Sequence, residues 1–401
     1  MEERGSRMGN DSAVVVGAGI GGLCAAIGLR RRGWSVLVLE RTPTFGEVGA
    51  GLTLMANGLR GLDALGVGAD VRAAGQVDAP GGVRTSTGRW ISRVDGAAMT
   101  RLLGTAAVGI HRATLHRILR AALPAEAVLT GAEVVDVAPG PPPRVTYRHD
   151  GRDIAVEAGL VVAADGINSV VRAGLWPDQP PPVYSGSTAW RAVAPQPAGG
   201  EVATSISWGP GAEFGVVPLG DGRVYWYGAV NADAGQVFAG GDEMRAVRDR
   251  FGAWHQPIPA LLDATDAGAV IRTDLYHLAT PLPSYRAGAV ALLGDAAHAM
   301  TPNLGQGANQ AIEDATVLAA VCAPSDDVVA ALAAYDAQRR PRSQEVARAA
   351  LQIARFGQQL SNPVAVGLRN TMMRLTPPRV ALRSMARHAD WNPPAIPAAE
   401  R

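Results

Sequence analysis

The chain has 401 residues, enough for at least two regions that each bury a core of their own. Lys+Arg 37 against Asp+Glu 36 leaves a net charge of +1, so no overall field draws the chain to nucleic acid or to an acidic membrane, and a small, nearly neutral ligand fits better. Cys24 and Cys322 are far apart and outside any C-x-x-C pattern, which argues against a disulfide scaffold, a bound metal or a dithiol redox centre, and makes a reducing cytoplasm the expected compartment.

Residues 1–10 read as a loose, flexible leader. A buried strand follows at Ala13 to Val16, then a glycine turn, then a helix with Leu23, Ala26 and Ile27 at helical spacing that Gly33 ends. A second strand, Ser35 to Leu39, stops at Glu40, which completes a βαβ unit. Leu115 to Leu123 reads as a helix, Val134 to Val156 as a small meander around a proline-rich turn, and Leu160 to Ala164 as a compact buried strand. Prolines 177 and 180–182 mark a domain crossing. From Ser185 to Val230 the pattern alternates as in an antiparallel sheet, with Tyr225 and Tyr227 on one face and Val224, Trp226 and Val230 on the other. A buried strand returns at Ala289 to Leu293, followed by a long helix through Ala308, Ile312, Ala315 and Ala319, and the remainder is helical with interruptions at Pro341, Pro363 and Pro377-Pro378. No stretch is long and apolar enough to span a bilayer.

Gly17-x-Gly19-x-x-Gly22 joins a strand to a helix, where glycines permit a tight turn and close approach of a pyrophosphate to the positive helix end. Glu40, with Arg41 beside it, lies roughly 20 residues further on, where a carboxylate can accept both ribose hydroxyls. The bland alternative is a turn with a solvated strand end. The fingerprint alone leaves FAD and NAD open, because both present the same adenosine diphosphate.

The segments Leu292-Leu293-Gly294-Asp295-Ala296-Ala297-His298, Thr301 to Asn309 (TPNLGQGAN) and Glu313-Asp314-Ala315 resemble the second FAD motif of the single-component flavoprotein aromatic hydroxylases, the group that includes salicylate and urate hydroxylases and zeaxanthin epoxidase. Asp165-Gly166 with Arg172 resembles that family's Asp-Gly motif, and Ile110-His111-Arg112 its flavin-contacting arginine. Gly49-Ala50-Gly51 and Asn57-Gly58 through Leu65-Gly66 resemble the segment that passes beside its flavin ring. The resemblance implies non-covalent FAD held by Gly17, Gly19, Gly22, Glu40, Arg41, Arg112, Asp165 and Asp295, with the helix start at Gly305, Gly307 and Ala308 facing the isoalloxazine. It implies an α/β fold like that of para-hydroxybenzoate hydroxylase: an FAD-binding domain at 11–72, 101–176 and 271–326, an antiparallel-sheet substrate domain inserted at 73–100 and 177–270, and a helical region at 327–401. Taken alone, Asp165 can equally cap a turn, Arg112 can be a surface charge, and His298 fits a packed or solvated histidine better than an acid–base catalyst.

The activity implied is hydride transfer from NAD(P)H to FAD, then hydroxylation or epoxidation of an aromatic or heteroaromatic small molecule by O2 through a flavin hydroperoxide. No second dinucleotide fingerprint is present for the nicotinamide, in keeping with that family. Trp190, Arg191, Phe214, Trp226, Tyr227 and Pro302 are the expected substrate-pocket residues, because aromatics make flat apolar walls and Arg191 can pin a carboxylate or phenolate; ordinary sheet packing is the alternative for each. Rival readings are a flavin-dependent halogenase, whose Trp-x-Trp-x-Ile-Pro segment is absent, and a non-catalytic FAD-binding protein. Partners expected are the small substrate and O2, with no nucleic acid or membrane, in a monomer or homodimer. Arg369, Arg374, Arg379, Arg383 and Arg387 recur near helical spacing and read as a solvated helix face, the alternative being a basic stripe for an anionic surface.

Overall fold

The computed structural model describes residues 6–46, 50–77, 81–93, 95–197 and 202–398; Gly49 therefore lies outside the described residues. The βαβ unit consists of β1 (Ser12–Val16), α1 (Ile20–Arg31) and β2 (Ser35–Glu40). All five residues of β1 are buried, as a strand covered on both faces requires. Next come β3 (Gly51–Leu54), α2 (Ala56–Ala64), β4 (Val108–His111), α3 (Arg112–Ala121) and β5 (Leu160–Ala163).

The inserted domain supplies β6 (Val183–Pro195), β7 (Ser205–Gly209), β8 (Ala212–Pro218), β9 (Arg223–Asn231), α4 (Glu243–Phe251), α5 (Ile258–Ala264) and β10 (Ile271–His277). The chain then re-enters the first domain through β11 (Val290–Leu292), α6 (Asp295–His298) and α7 (Gly307–Val321). It ends in α8 (Val328–Phe356), α9 (Pro363–Leu375) and α10 (Pro378–Ala386).

In the first domain β11, β5, β1 and β2 lie side by side and parallel, with Val128–Thr130 parallel at the far edge and Arg286–Ala287 antiparallel at the near one. Helices α1 and α7 pack together on this sheet: a Cβ at Gly28 would lie 2.7 Å from Ala319, so a small residue there lets the two helices close. In the inserted domain seven strands run β10-β6-β9-β8-β7, then Gly82–Thr85 and Trp90–Arg93. A third, small sheet joins β3 and β4 to Gln76–Val77.

Three expectations are corrected. β10 pairs antiparallel with β6 from Val183↔His277 to Arg191↔Ile271, so the inserted domain extends to His277 and does not end at 270; an open edge on a long strand recruits it. Ser6–Arg7, placed in the leader, pairs in parallel with Val156–Glu157. Pro341 does not interrupt α8, which runs through it because the helix is anchored on both sides: the Tyr335 hydroxyl donates to the Leu292 carbonyl (2.9 Å), and the Ser343 hydroxyl shares a hydrogen bond with that of Tyr285 (2.9 Å).

Candidate flavin site and the two faces of the inserted sheet

Gly17 sits at φ +96°, open to glycine at little cost, and a Cβ at Gly22 would collide with the Gly17 carbonyl; nothing lies within 4 Å of where a Cβ on Gly19 would point. The Glu40 carboxylate reaches into this turn, Oε2 accepting from the Ala18 N–H (2.8 Å) and Oε1 from that of Thr42 (2.9 Å). Arg41 beside it is exposed. From α3, His116 Nε2 donates to the Ala18 carbonyl (2.8 Å), and burial lowers its pKa, so the neutral ring carries this contact. His116 was not singled out from sequence, since a histidine on an amphipathic helix carries no motif.

Asp165 follows β5. Its Oδ2 accepts from the Val171 N–H (3.3 Å), its Oδ1 is buried without a protein partner, and burial raises its pKa. Arg172 ties that loop to α6, donating through Nη1 to the Ala296 carbonyl (2.9 Å) and through Nη2 to that of Ile167 (2.6 Å). Asp295 is exposed at the first position of α6. Arg112 starts α3 with an exposed side chain while its N–H donates to the Ala50 carbonyl (2.9 Å), tying β4 to the residue before β3. Gly305 and Pro302 are exposed in the loop before α7, and Gly307 and Ala308 form the helix start. A dinucleotide suits this set: the glycine turn leaves backbone room, Glu40 and Asp165 offer carboxylate oxygens, and a helix N-terminus complements negative charge.

Asn309 binds these pieces together. Its Oδ1 accepts from the Met55 N–H (3.0 Å), and its Nδ2 donates to the carbonyls of Thr53 (3.2 Å) and Gly305 (2.9 Å), clamping the end of β3 to the glycine loop. One turn on, Glu313 and Asp314 are fully buried. Glu313 accepts from Asn57 Nδ2 (2.6 Å), Arg339 Nη1 (2.5 Å) and Arg342 Nε (2.6 Å). Asp314 accepts from Arg339 Nε (2.7 Å), His298 Nε2 (2.6 Å) and the Gly294 N–H (2.9 Å). Burial alone would raise the Asp314 carboxyl, but the His298 and Arg339 charges hold it well below the usual carboxylate range. His298 is accordingly a buried partner of Asp314. The network fixes Gly294, and with it the approach to Asp295, from behind.

The inserted sheet has two unlike faces. On one, Phe214 stacks on Trp226 (centroids 5.4 Å apart) and meets Phe251 edge-on at 5.2 Å, under α4 and α5. Trp190 Nε1 donates to Glu243 (2.6 Å) and Trp226 Nε1 to the Thr265 hydroxyl (2.9 Å). The expectation that Trp190, Phe214 and Trp226 line a pocket together with Arg191 and Tyr227 is therefore corrected: the three are buried core on the face covered by α4 and α5, because strand alternation sends them opposite to Arg191 and Tyr227.

The other face carries Arg191, Glu213, Tyr225 and Tyr227. Tyr225 approaches the flavin-side strand β3, where a Cβ on Gly51 would lie 2.6 Å from the tyrosine Cβ, and the Tyr227 ring lies against Gly215. The two tyrosine rings are 6.0 Å apart, and both side chains are half-buried. Glu213 accepts from Trp208 Nε1 (2.9 Å), has the Tyr227 phenol as a second polar neighbour, and is pushed up to about 7 by burial. Tyr225 shares a period-two register with Tyr227 in the sequence, whereas Glu213 stands on another strand and only the pairing of β8 with β9 brings it to this face.

Residues 11–350 match the FAD binding domain family. The chain is 38% identical over 365 residues to the aurachin C monooxygenase/isomerase of Stigmatella aurantiaca, covering 91% of this chain and 94% of that protein. It is 31% identical over 376 residues to the 2-heptyl-3-hydroxy-4(1H)-quinolone synthase of Pseudomonas aeruginosa, with the same coverage. Among solved structures, Klebsiella pneumoniae HpxO complexed with FAD and uric acid superposes with a TM-score of 0.87 at 26% identity, over 94% of this chain and 96% of that one. No helix among the described residues is long and apolar enough to cross a membrane. Glycine turn, Asp-Gly loop, helix start and inserted sheet thus occur together over nearly the whole length, and the chain belongs to the FAD binding domain family of flavoprotein aromatic monooxygenases.

Proposed function

We propose that this FAD monooxygenase uses NAD(P)H and O2 to hydroxylate or epoxidise a neutral heteroaromatic small molecule, with 4-quinolone rings the first class to test. The observation that carries the substrate assignment is the sheet face where Arg191, Glu213 and Tyr227 stand beside the strand that touches Tyr225. A buried carboxyl pushed up to about 7 disfavours an anionic aryl acid next to it and suits a ring bearing N–H or phenolic O–H donors. The relative acting as a quinolone synthase supports the same class.

In this reading Gly17, Gly19 and Gly22 receive the FAD pyrophosphate, Glu40 the ribose, and Asp165, Asp295 and Arg112 the remainder of the cofactor, with Gly305, Gly307 and Ala308 at the ring. Arg41 extends the ribose end. Bound FAD supplies the redox chemistry, taking electrons from the nicotinamide and activating dioxygen. The protein orients the substrate ring against the face that carries Tyr225 and Tyr227, keeps water out with the half-buried tyrosines, and handles a proton at the Tyr227 hydroxyl backed by Glu213. Arg191 favours negative charge on the substrate oxygen as that proton leaves. Pro302 borders the pocket from the loop before α7. The two cysteines are buried and unpaired, which fits a cytoplasmic protein.

The test is NAD(P)H oxidation by the FAD-loaded protein in air with quinolones, indoles, phenols and purines, scored for oxygen-18 incorporated from labelled dioxygen. A quinolone that accelerates oxidation and gains the label establishes the reading. Label entering an aryl acid in preference to quinolones would overturn the substrate class, and oxidation that yields peroxide alone with every compound would overturn the monooxygenase assignment for these rings.

A further inference from the structure

Helix α9 is amphipathic the wrong way round for a solvated protein surface. At 100° per residue, Val364, Leu368, Met372 and Leu375 fall within a narrow arc, and they are 81%, 71%, 52% and 78% exposed. The stripe is about 16 Å long along the helix axis. Val380 on α10 is likewise exposed. Isolated exposed apolar residues need no explanation, but a contiguous row of this kind marks an interaction surface.

The flanking charge is of one sign. From Pro363 to Ala389 the sequence holds five arginines and no aspartate or glutamate, although the chain as a whole is nearly neutral. The structure sorts these arginines. Arg369 is buried, its guanidinium 4.7 Å from the Trp208 ring and donating to the Gly357 carbonyl (2.7 Å), so it belongs to the attachment of α9 to the inserted sheet. Arg387 pairs with Glu345 (2.6 Å). Arg379 and Arg383 are exposed on the same helical pair as the stripe, as is Arg374, whose Nε donates to the Trp90 carbonyl (3.2 Å).

We propose that α9 and α10 dock this protein onto the surface of an anionic lipid bilayer, with Val364, Leu368, Met372 and Leu375 entering the headgroup boundary and Arg374, Arg379 and Arg383 meeting lipid phosphates. An exposed apolar arc beside arginines that have no carboxylate partner among the described residues is the composition of a helix that lies in a membrane interface. A second copy of the chain is a poorer occupant. A twofold contact through this surface would bring two patches rich in arginine and free of carboxylates against each other. Docking here leaves the fold intact, because the inner side of α9 keeps Met373 packed on the cluster of Val83, Ile91 and Trp208. It also requires no helix to cross the bilayer. The proposal departs from the expectation that the chain has no membrane partner, and it stands independently of which ring the enzyme oxidises.

The experiment is flotation of the FAD-loaded protein with vesicles of phosphatidylcholine alone and of equimolar phosphatidylcholine and phosphatidylglycerol. The protein is expected to float with the anionic vesicles, to stay below with the neutral ones, and to be released by high salt. The double substitution Leu368→Glu and Leu375→Glu should abolish flotation at unchanged flavin content and melting temperature, and Arg379→Ser and Arg383→Ser should each lower the partition coefficient about fivefold at low ionic strength. Failure to float with anionic vesicles, or flotation undiminished in the Leu368→Glu, Leu375→Glu variant, would overturn the proposal. So would light scattering that shows a dimer in the parent and a monomer in that variant, since the stripe would then be covered by a second copy.

Discussion

The two faces of the inserted sheet are made from alternate residues of the same strands and have opposite characters. Under α4 and α5 the face is dry and aromatic, and both tryptophan N–H groups there have an acceptor. Toward β3 it is half-open and carries an arginine, a glutamate and two tyrosines. A single strand therefore serves stability on one side and, in the proposed reading, chemistry on the other, and substitutions one residue apart should separate the two.

The largest effect is expected on the dry face. Phe214→Ala removes the ring between Trp226 and Phe251 and should cost about 3–5 kcal/mol in urea unfolding, while KM for substrate in the surviving folded fraction stays near the parent value. A large KM change with little loss of stability would break the comparison.

Next is Glu213. Burial pushes its pKa in the folded state up to about 7 from the ordinary 4.5, so the folded state binds the proton more tightly than the unfolded one. The contribution is present in full below pH 4.5 and is lost as pH rises toward 7, on the order of 3 kcal/mol in all. The difference in unfolding free energy between parent and Glu213→Gln should therefore shift against the parent across that window and level off above it. A difference flat from pH 4.5 to 8 would place the carboxyl's pKa elsewhere.

On the same open face, Tyr227→Phe should lower kcat/KM about tenfold with a melting temperature close to that of the parent, the loss corresponding to a single hydrogen bond made to the reacting molecule. An unchanged pH profile and unchanged kcat/KM would remove Tyr227 from the proton path. The smallest effect is Thr265→Val, which deprives Trp226 Nε1 of its acceptor and should cost about 1 kcal/mol in stability without touching turnover.

Much of the flavin side was legible because its determinants are local. A strand, a glycine turn and a helix occupy consecutive residues, and Glu40 is placed by the length of one βαβ unit. The helix start at Gly307 and the Asp-Gly turn after β5 are likewise short-range patterns. His116 and Arg339 carry no motif, and the motif that holds Asn309, Glu313 and Asp314 does not give their partners, because each acts on a residue far away in sequence.

The candidate pocket shows the same division. Period-two alternation placed Tyr225 and Tyr227 opposite Trp226, yet it carries no information about which side α4 and α5 would cover. Helical spacing grouped five arginines, whereas packing buried Arg369 on Trp208 and tied Arg387 to Glu345. The sequence by itself determined the βαβ unit, the glycine turn, the family and the alternation of faces, since these depend on dihedral preference and spacing within a few turns of chain. Only the tertiary structure decided which face stays dry, which charges find partners and which apolar row is left uncovered, because burial is settled by what arrives from elsewhere in the chain.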